Sequence, residues 1–208
     1  KFSLQELFER TFDKIHLPSK GVFYPGGEKS FKIRYLSGLE EKVLTSFFLT
    51  ESGEALEMVL NNVIIDDFDV RDLVVSDLQG IMVFLYATAY GDKLPYKMNC
   101  PSCGYEDEMS VRLSDIDFKK SDLEPRDGCF RFLTPMRGNF FSKEHTPAYF
   151  ELKNGKKMLE IKIAPITFGR ELDMKSIGKD TKGIYKVINS IKSIGGISDR
   201  YYIEDSVK

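Results

Sequence analysis

The sequence predicts an α+β protein. A helical N-terminal domain carries a Cys-x-x-Cys knuckle β-hairpin, and a β-rich module with C-terminal helices follows. Three observations lead to this. Apolar residues recur at helical spacing through most of 38–91, the mark of helices with a buried face. Two cysteines sit in a tight turn between strand-like flanks, predicting a hairpin over 94–113. After Pro125 the apolar spacing changes from helical to alternating, as strands require. The expected domains are therefore 1–118 and 119–208. A chain of 208 residues is long enough for one large domain or two small ones and can bury a core.

In chain order, residues 3–12 support a short amphipathic helix with Leu4, Leu7 and Phe8 on one face. Leu17-Pro18 ends that region, because the residue before a proline is pushed out of the helical basin. Phe31, Ile33 and Tyr35 alternate with Lys32 and Arg34, which predicts a half-buried strand over 31–36. Ser37, with Glu40 three residues on, is a capping-box pattern that opens a helix carrying Val43, Leu44, Phe47 and Phe48. A second helix follows Gly53, with Leu56, Val59, Leu60 and Val63 suitably spaced. Ser76 and Gln79 repeat the capping pattern before a third helix, apolar almost all round over 81–87 and stopped by Gly91. A helix apolar on every face belongs inside a core. This one is the predicted centre of the N-terminal domain.

In the second half, 149–152 and 158–163 read as strands joined at Asn154-Gly155, a pair favoured in type I′ turns. The lysines at the tip, Lys153 to Lys157, solubilise it. Ile184, Val187, Ile188 and Ile191 share one helical face, Gly195-Gly196 ends the helix, and 198–208 is amphipathic.

One pattern recurs. Leu17-Pro18-Ser19-Lys20-Gly21-Val22-Phe23-Tyr24 is echoed by Thr134-Pro135-Met136-Arg137-Gly138-Asn139-Phe140-Phe141. Each precedes an alternating strand that ends in a hydroxyl residue ahead of an acidic helix start, Ser37 with Glu41 and Thr167 with Glu171. A duplicated supersecondary unit accounts for this, as does chance likeness between Pro/Gly-rich loops. The first copy is the candidate protein interface. Leu17-Pro18 enforces an extended entry, Gly21 frees the turn, and Phe23 and Tyr24 offer apolar area beside the charge of Lys20. The competing role for the aromatics is to pin the loop to the chain's own core.

The metal candidate is Asn99-Cys100-Pro101-Ser102-Cys103-Gly104. Such a knuckle faces two thiolates toward one ion while turn amides point at their sulfurs, and the glycine supplies positive φ. Structural zinc needs four protein ligands, so Cys100 and Cys103 make half a site. Cys129 and His145 are the residues available to complete it. Completion by another chain and a metal-free hairpin are the other readings. No cofactor is required, and zinc is the one the residues accommodate. A redox role fits poorly, since that motif should open a helix after a strand. Asp66, Asp67 and Asp69 are the carboxylates a metal-dependent hydrolase would use, although a solvated loop explains them more simply. There is no His-Glu-x-x-His helix, Gly-x-Ser-x-Gly elbow or phosphate loop.

Thirty basic and 32 acidic residues leave a net charge of −2, too little field to hold a nucleic-acid backbone or an acidic membrane. No stretch reaches the roughly 18 apolar residues of a membrane span. The chain opens on Lys1 without a signal-peptide pattern, and three cysteines suit a reducing compartment, so a cytoplasmic origin is expected. Sixteen Phe and 10 Tyr with no Trp permit aromatic-rich protein interfaces as well as cores.

The order of motifs resembles the baseplate-hub assembly proteins of T-even-type contractile-tailed bacteriophages. It rests on Leu-Pro-Ser-Lys-Gly-x-x-Tyr at 17–24, the strand leading to an acidic helix at 33–44, and the Gly-x-Ala-Leu-like helix at 53–60. The aspartate-led helix ending in Tyr-Gly at 77–91 and the Cys-Pro-x-Cys-Gly hairpin at 100–104 complete it. The likeness is close over 17–118 and looser beyond, and Gly80 departs from it as a glycine inside the third helix. The resemblance implies a structural or assembly protein of the tail baseplate's central hub, a subunit or a chaperone, and not an enzyme. Its partners would be other hub or tail proteins, or further copies of itself, with neither nucleic acid nor membrane. It would be made in the host cytoplasm and act there or in the virion baseplate. A zinc-ribbon nucleic-acid-binding protein and a metal-dependent hydrolase are the alternatives from other classes.

Overall fold

The computed structural model describes residues 12–45, 53–116, 124–136, 144–174 and 179–207, and it is α+β. The chain divides into two compact units. Unit one takes Lys1–Pro18, Ser30–Val70 and Ser76–Lys120; unit two takes Ser19–Lys29, Arg71–Val75 and Ser121–Lys208. Two short segments from the first half thus belong to the second unit. The predicted helix over 3–12 lies outside the described residues except at Phe12, which opens a strand.

In unit one, β1 (Phe12–His16) pairs antiparallel with β2 (Ser30–Arg34), Phe12 opposite Arg34 and His16 opposite Ser30. The predicted alternation holds in β2: Phe31 and Ile33 are buried while Lys32 is exposed. Helices α1 (Gly38–Thr45), α2 (Glu54–Val63) and α3 (Val75–Tyr90) follow. In α2 the stripe Ala55, Val59, Leu60 and Val63 is buried, the spacing of one helix face. The segment after α2 is tied to β2. Ile64 bridges Ile33, Ile65 N–H donates to Lys32 O at 3.0 Å, and Lys32 N–H donates to Asp66 Oδ2 at 2.6 Å. The Phe68 and Phe31 rings meet at 4.8 Å.

The helix α3 differs from expectation in two ways. It buries Asp77, Leu78, Ile81 and Leu85, whereas Met82, Val83 and Phe84 are half-buried. It is therefore one wall of a core and not its centre, with Tyr35 stacked on Phe84 at 6.4 Å. It also starts at Val75, ahead of the predicted Ser76 cap. Val75 N–H already donates to Ile166 O at 3.1 Å, so that amide needs no capping hydroxyl.

Beyond α3, β3 (Lys93–Asn99) and β4 (Glu106–Arg112) form an antiparallel hairpin. Its base is clamped by Asp92, whose O accepts from Leu113 N–H and whose carboxylate accepts from Ser114 N–H and Oγ, each at 2.8 Å. Those Ser114 bonds hold the Asp92 carboxyl below its usual range.

Unit two is built on β7 (Lys157–Ile163). On it pair β5 (Phe130–Pro135), β6 (Tyr149–Glu151) and β8 (Ile191–Ile194), all antiparallel. Helices α4 (Phe168–Asp173), α5 (Lys179–Ser190) and α6 (Arg200–Val207) complete it. Leu159, Ile188, Ile191, Ile194, Tyr202 and Ile203 form the core cluster. Asp199 caps α6, accepting from Tyr202 N–H at 2.9 Å. Ile191, expected on the helix with Ile188, instead opens β8. A strand at that point satisfies backbone groups along β7 and still places Ile191 in the core. The turn at 152–156 is not type I′, because Gly155 alone has positive φ; Gly155 N–H donates to Leu152 O at 2.9 Å. This is a type I turn closed by a glycine bulge, the other short-hairpin solution.

The proposed repeat is described only in part, since residues 137–143 fall outside the described residues. At the two strand-to-helix junctions the chemistry differs. Ser37 N–H donates to the Glu40 carboxylate, the returning half of a capping box, and its hydroxyl donates to that same carboxylate, whereas Thr167 starts α4 without a side-chain cap bond.

The Glu40 carboxylate is buried and accepts from Ser37 N–H at 2.8 Å, from Ser37 Oγ, and from Arg34 Nη2 at 2.7 Å. Burial alone would raise its pKa, but those donors outweigh it and hold the carboxyl at about 2. As pH falls the unfolded chain takes up this proton first. The stabilisation is therefore complete above the ordinary carboxyl range and is lost as pH drops through it toward about 2. Glu40→Gln should remove that dependence and cost on the order of 2–3 kcal/mol at neutral pH. Urea unfolding across a pH series checks this, and identical pH dependence in both proteins would refute it.

Candidate functional site

The loop after β1 is a succession of tight turns. Lys20 and Gly21 both have positive φ, and Val22 N–H donates to Ser19 O at 3.3 Å, so residues 19–22 make a type I′ turn. Gly21 N–H also donates to Ser19 Oγ at 3.1 Å. A Cβ on Gly21 would stand 2.6 Å from Glu28 O, so position and conformation both demand glycine. Leu17 and Tyr24 are buried, and Phe23 packs on Phe130 with ring centroids 5.6 Å apart. The Tyr24 hydroxyl accepts from Val74 N–H at 3.1 Å. Of the six residues named as an interface, Leu17, Gly21, Phe23 and Tyr24 thus have work inside the fold. Lys20 lies at the surface with its neighbour Val22, and Pro18 is half-buried.

The cysteine hairpin brings Cys100 and Cys103 together. Gly104 N–H donates to Cys100 O at 2.8 Å and Cys100 N–H to Tyr105 O at 2.9 Å, with Gly104 at φ 70°. The amides of Ser102 and Cys103, with the Cys103 thiol, bond the Cys100 sulfur and hold its thiol below the usual range. Those are the amides a knuckle aims at a thiolate. Cys129 and His145 belong to unit two. Cys129 closes the turn 126–129, and the His145 ring lies 5.2 Å from Tyr202. Among the described residues no three His, Cys, Asp or Glu side chains are grouped to hold a metal ion. Of the acidic loop, Asp66 serves as the acceptor for Lys32 N–H already described.

One surface was missed by spacing alone. Both faces of β3 and β4 are exposed along their full lengths. Leu94 faces Val111 and Tyr96 faces Met109 across the strands, and with Met98 they make one apolar side. The alternation was visible in the sequence, but alternation alone does not say that neither side meets a core.

The β3–β4 hairpin thus presents an exposed apolar side. The profile of the T4 bacteriophage base plate protein family matches residues 19–205. The chain belongs to that family and is a phage baseplate protein. No curated protein and no solved structure is significantly similar to it. Among the described residues, no helix is long and apolar enough to cross a membrane.

Tyr24→Ala should lower stability by about 3–5 kcal/mol and Gly21→Ala by about 1–3 kcal/mol. Lys20→Glu should change it by less than about 0.5 kcal/mol. Denaturant unfolding measures all three, and a Tyr24→Ala protein as stable as the parent would show the loop is not core.

With two ligands local to the knuckle, zinc should be dispensable to the fold, and chelator should leave the thermal midpoint unchanged. Stoichiometric zinc by elemental analysis, lost on Cys129→Ala, would overturn that.

Proposed function

We propose that the chain acts in the central hub of the baseplate, as a subunit or an assembly chaperone, by docking onto other tail proteins without turning over a substrate. It would be made in the host cytoplasm and act there or in the assembled tail. The observation that carries this reading is the β3–β4 hairpin. A two-stranded hairpin is marginal in water unless something covers a face, and here the whole apolar side of Leu94, Tyr96, Met98, Met109 and Val111 is open. A partner surface is what such a side lacks. The surface residues Lys20 and Val22 of the first loop are a second contact of the same kind. A nucleic-acid role finds little support at this hairpin, because β4 opens with Glu106, Asp107 and Glu108.

The test is Tyr96→Lys combined with Met109→Glu. Both side chains are exposed, so the thermal midpoint should hold within a few degrees, while recovery of tail proteins from infected cells should be lost. A folded double variant that recovers the same partners would remove the hairpin from the docking surface.

A further inference from the structure

In unit two the register of β7 against β8 slips by one residue. Ile163 faces Ile191 while Lys162 faces Ser193, which leaves Lys192 as the extra residue of a β-bulge. The bulge keeps Ile191 and Ile194 in the core cluster and sets Lys192 outside it, at the surface. Two arginines converge on the same junction of α5 and β8. Arg170 Nη1, from α4, donates to Asn189 O at 2.8 Å. Arg200, from α6, donates through Nη2 to Asn189 Oδ1 and through Nη1 to Ile191 O, each at 3.1 Å. Both guanidiniums are half-buried. Among the described residues, none of the three cations makes an ion pair.

The charges are close enough to act on each other. Burial, together with Arg170 and Arg200, holds the Lys192 ammonium below the ordinary lysine range, while Cys129 and Asp72 act in the opposite direction. Arg170 and Arg200 act on Lys192 as like charges and Asp72 as the opposing carboxylate, so positive charge is in excess around that ammonium. The arginines do have a structural task there: Arg170 caps a carbonyl in the last turn of α5, and Arg200 holds the Asn189 side chain and the first carbonyl of β8. That task uses one donor of Arg170 and two of Arg200, out of five on each guanidinium. It does not use Lys192 at all.

We propose that Arg170, Lys192 and Arg200 form a docking site for an acidic, partly apolar segment of a partner protein. The surplus charge calls for carboxylates. On the same helices, Tyr201, next to Arg200 in sequence, is 85% exposed, and Ile184 and Val187 of α5 are 54% and 53% exposed. Exposed aromatic and aliphatic side chains next to arginine are the composition of a protein contact. A segment that carries apolar side chains beside its carboxylates can add contacts that a free phosphate lacks.

The inference rests on the reading that this chain docks onto proteins. Its test uses the whole chain and a short synthetic peptide of alternating glutamate and leucine, with a glutamine-for-glutamate version as control. The glutamate peptide should bind and weaken as salt rises. Lys192→Glu should cost about tenfold or more in affinity, Lys192→Arg should retain it, and inorganic phosphate should not compete. Lys192 is chosen because it caps nothing, so its variants should fold. Equal binding to parent and Lys192→Glu, equal binding of the glutamine peptide, or displacement by phosphate would each overturn the site. So would binding that appears only as self-association of the chain. A Lys192→Glu chain that loses the peptide yet recovers tail proteins through its hairpin would leave the hairpin reading standing. A parent chain that binds the peptide but recovers no tail protein would sink that reading alone.

Discussion

The hydrogen bond from Val74 N–H to the Tyr24 hydroxyl organises unit two. It joins residues 50 apart in sequence, and it is buried. Around it the segment 71–75 runs alongside 166–168. Val74 bridges Thr167, Phe168 N–H donates to Leu73 O at 2.7 Å, and Val75 N–H reaches Ile166 O. Leu73 and Val74 are buried as a result. Arg71 fastens the same stretch from its other end, bonding Asp173 at 2.6 Å, and it presses on Gly169, where a Cβ would sit 2.8 Å from its own. A backbone amide buried without an acceptor costs free energy comparable to a lost hydrogen bond. The tyrosine hydroxyl is thus what permits a lone extended segment to enter this core.

Much of the architecture could be read from the sequence because it rests on local rules. The Ser37–Glu40 bond, the α2 stripe ending at Val63, the glycine stop at Gly91 and the β3–β4 hairpin each depend on residues a few positions apart. What escaped depends on distant pairing. Strand β1 carries Phe12, Asp13, Lys14, Ile15 and His16, and only its partner β2 makes it a strand. Strand β8 sits at the end of a helical apolar pattern, and β7 redirects it. The assignment of 19–29 and 71–75 to unit two has no local signature either. One missed feature was legible: Asp127-Gly128, both at positive φ, is a type I′ pair closing the turn ahead of β5.

The candidate surfaces divide in the same way. Leu17, Gly21 and Tyr24 were singled out by a real pattern, and the pattern reflects what the turn and its core contacts require. Phe23 and Tyr24 look equally apolar in sequence whether they meet a partner or the chain itself. In the fold Phe23 meets the Phe130 ring and the Tyr24 hydroxyl meets the Val74 amide. The pair Cys100 and Cys103 was legible because the turn is local. The cations Arg170, Lys192 and Arg200 were not, since a helix, a bulge and another helix bring them together. Individually each is an ordinary surface base.

A segment held by both positive φ and a buried hydroxyl cannot reshape itself around a partner without giving up its own core. The β3–β4 hairpin is under no such constraint, because Asp92 and its bonds to Leu113 and Ser114 fix only its base. Beyond that clamp the strands hold each other through backbone pairing, the Tyr96–Met109 contact at 3.5 Å and the exposed Lys97–Glu108 pair at the same distance. An exposed ion pair of that kind adds at most about 1 kcal/mol. The hairpin is therefore held mainly by its own pairing, whereas the Leu17–Tyr24 turn is fixed by the contacts of Phe23 and Tyr24 within unit two.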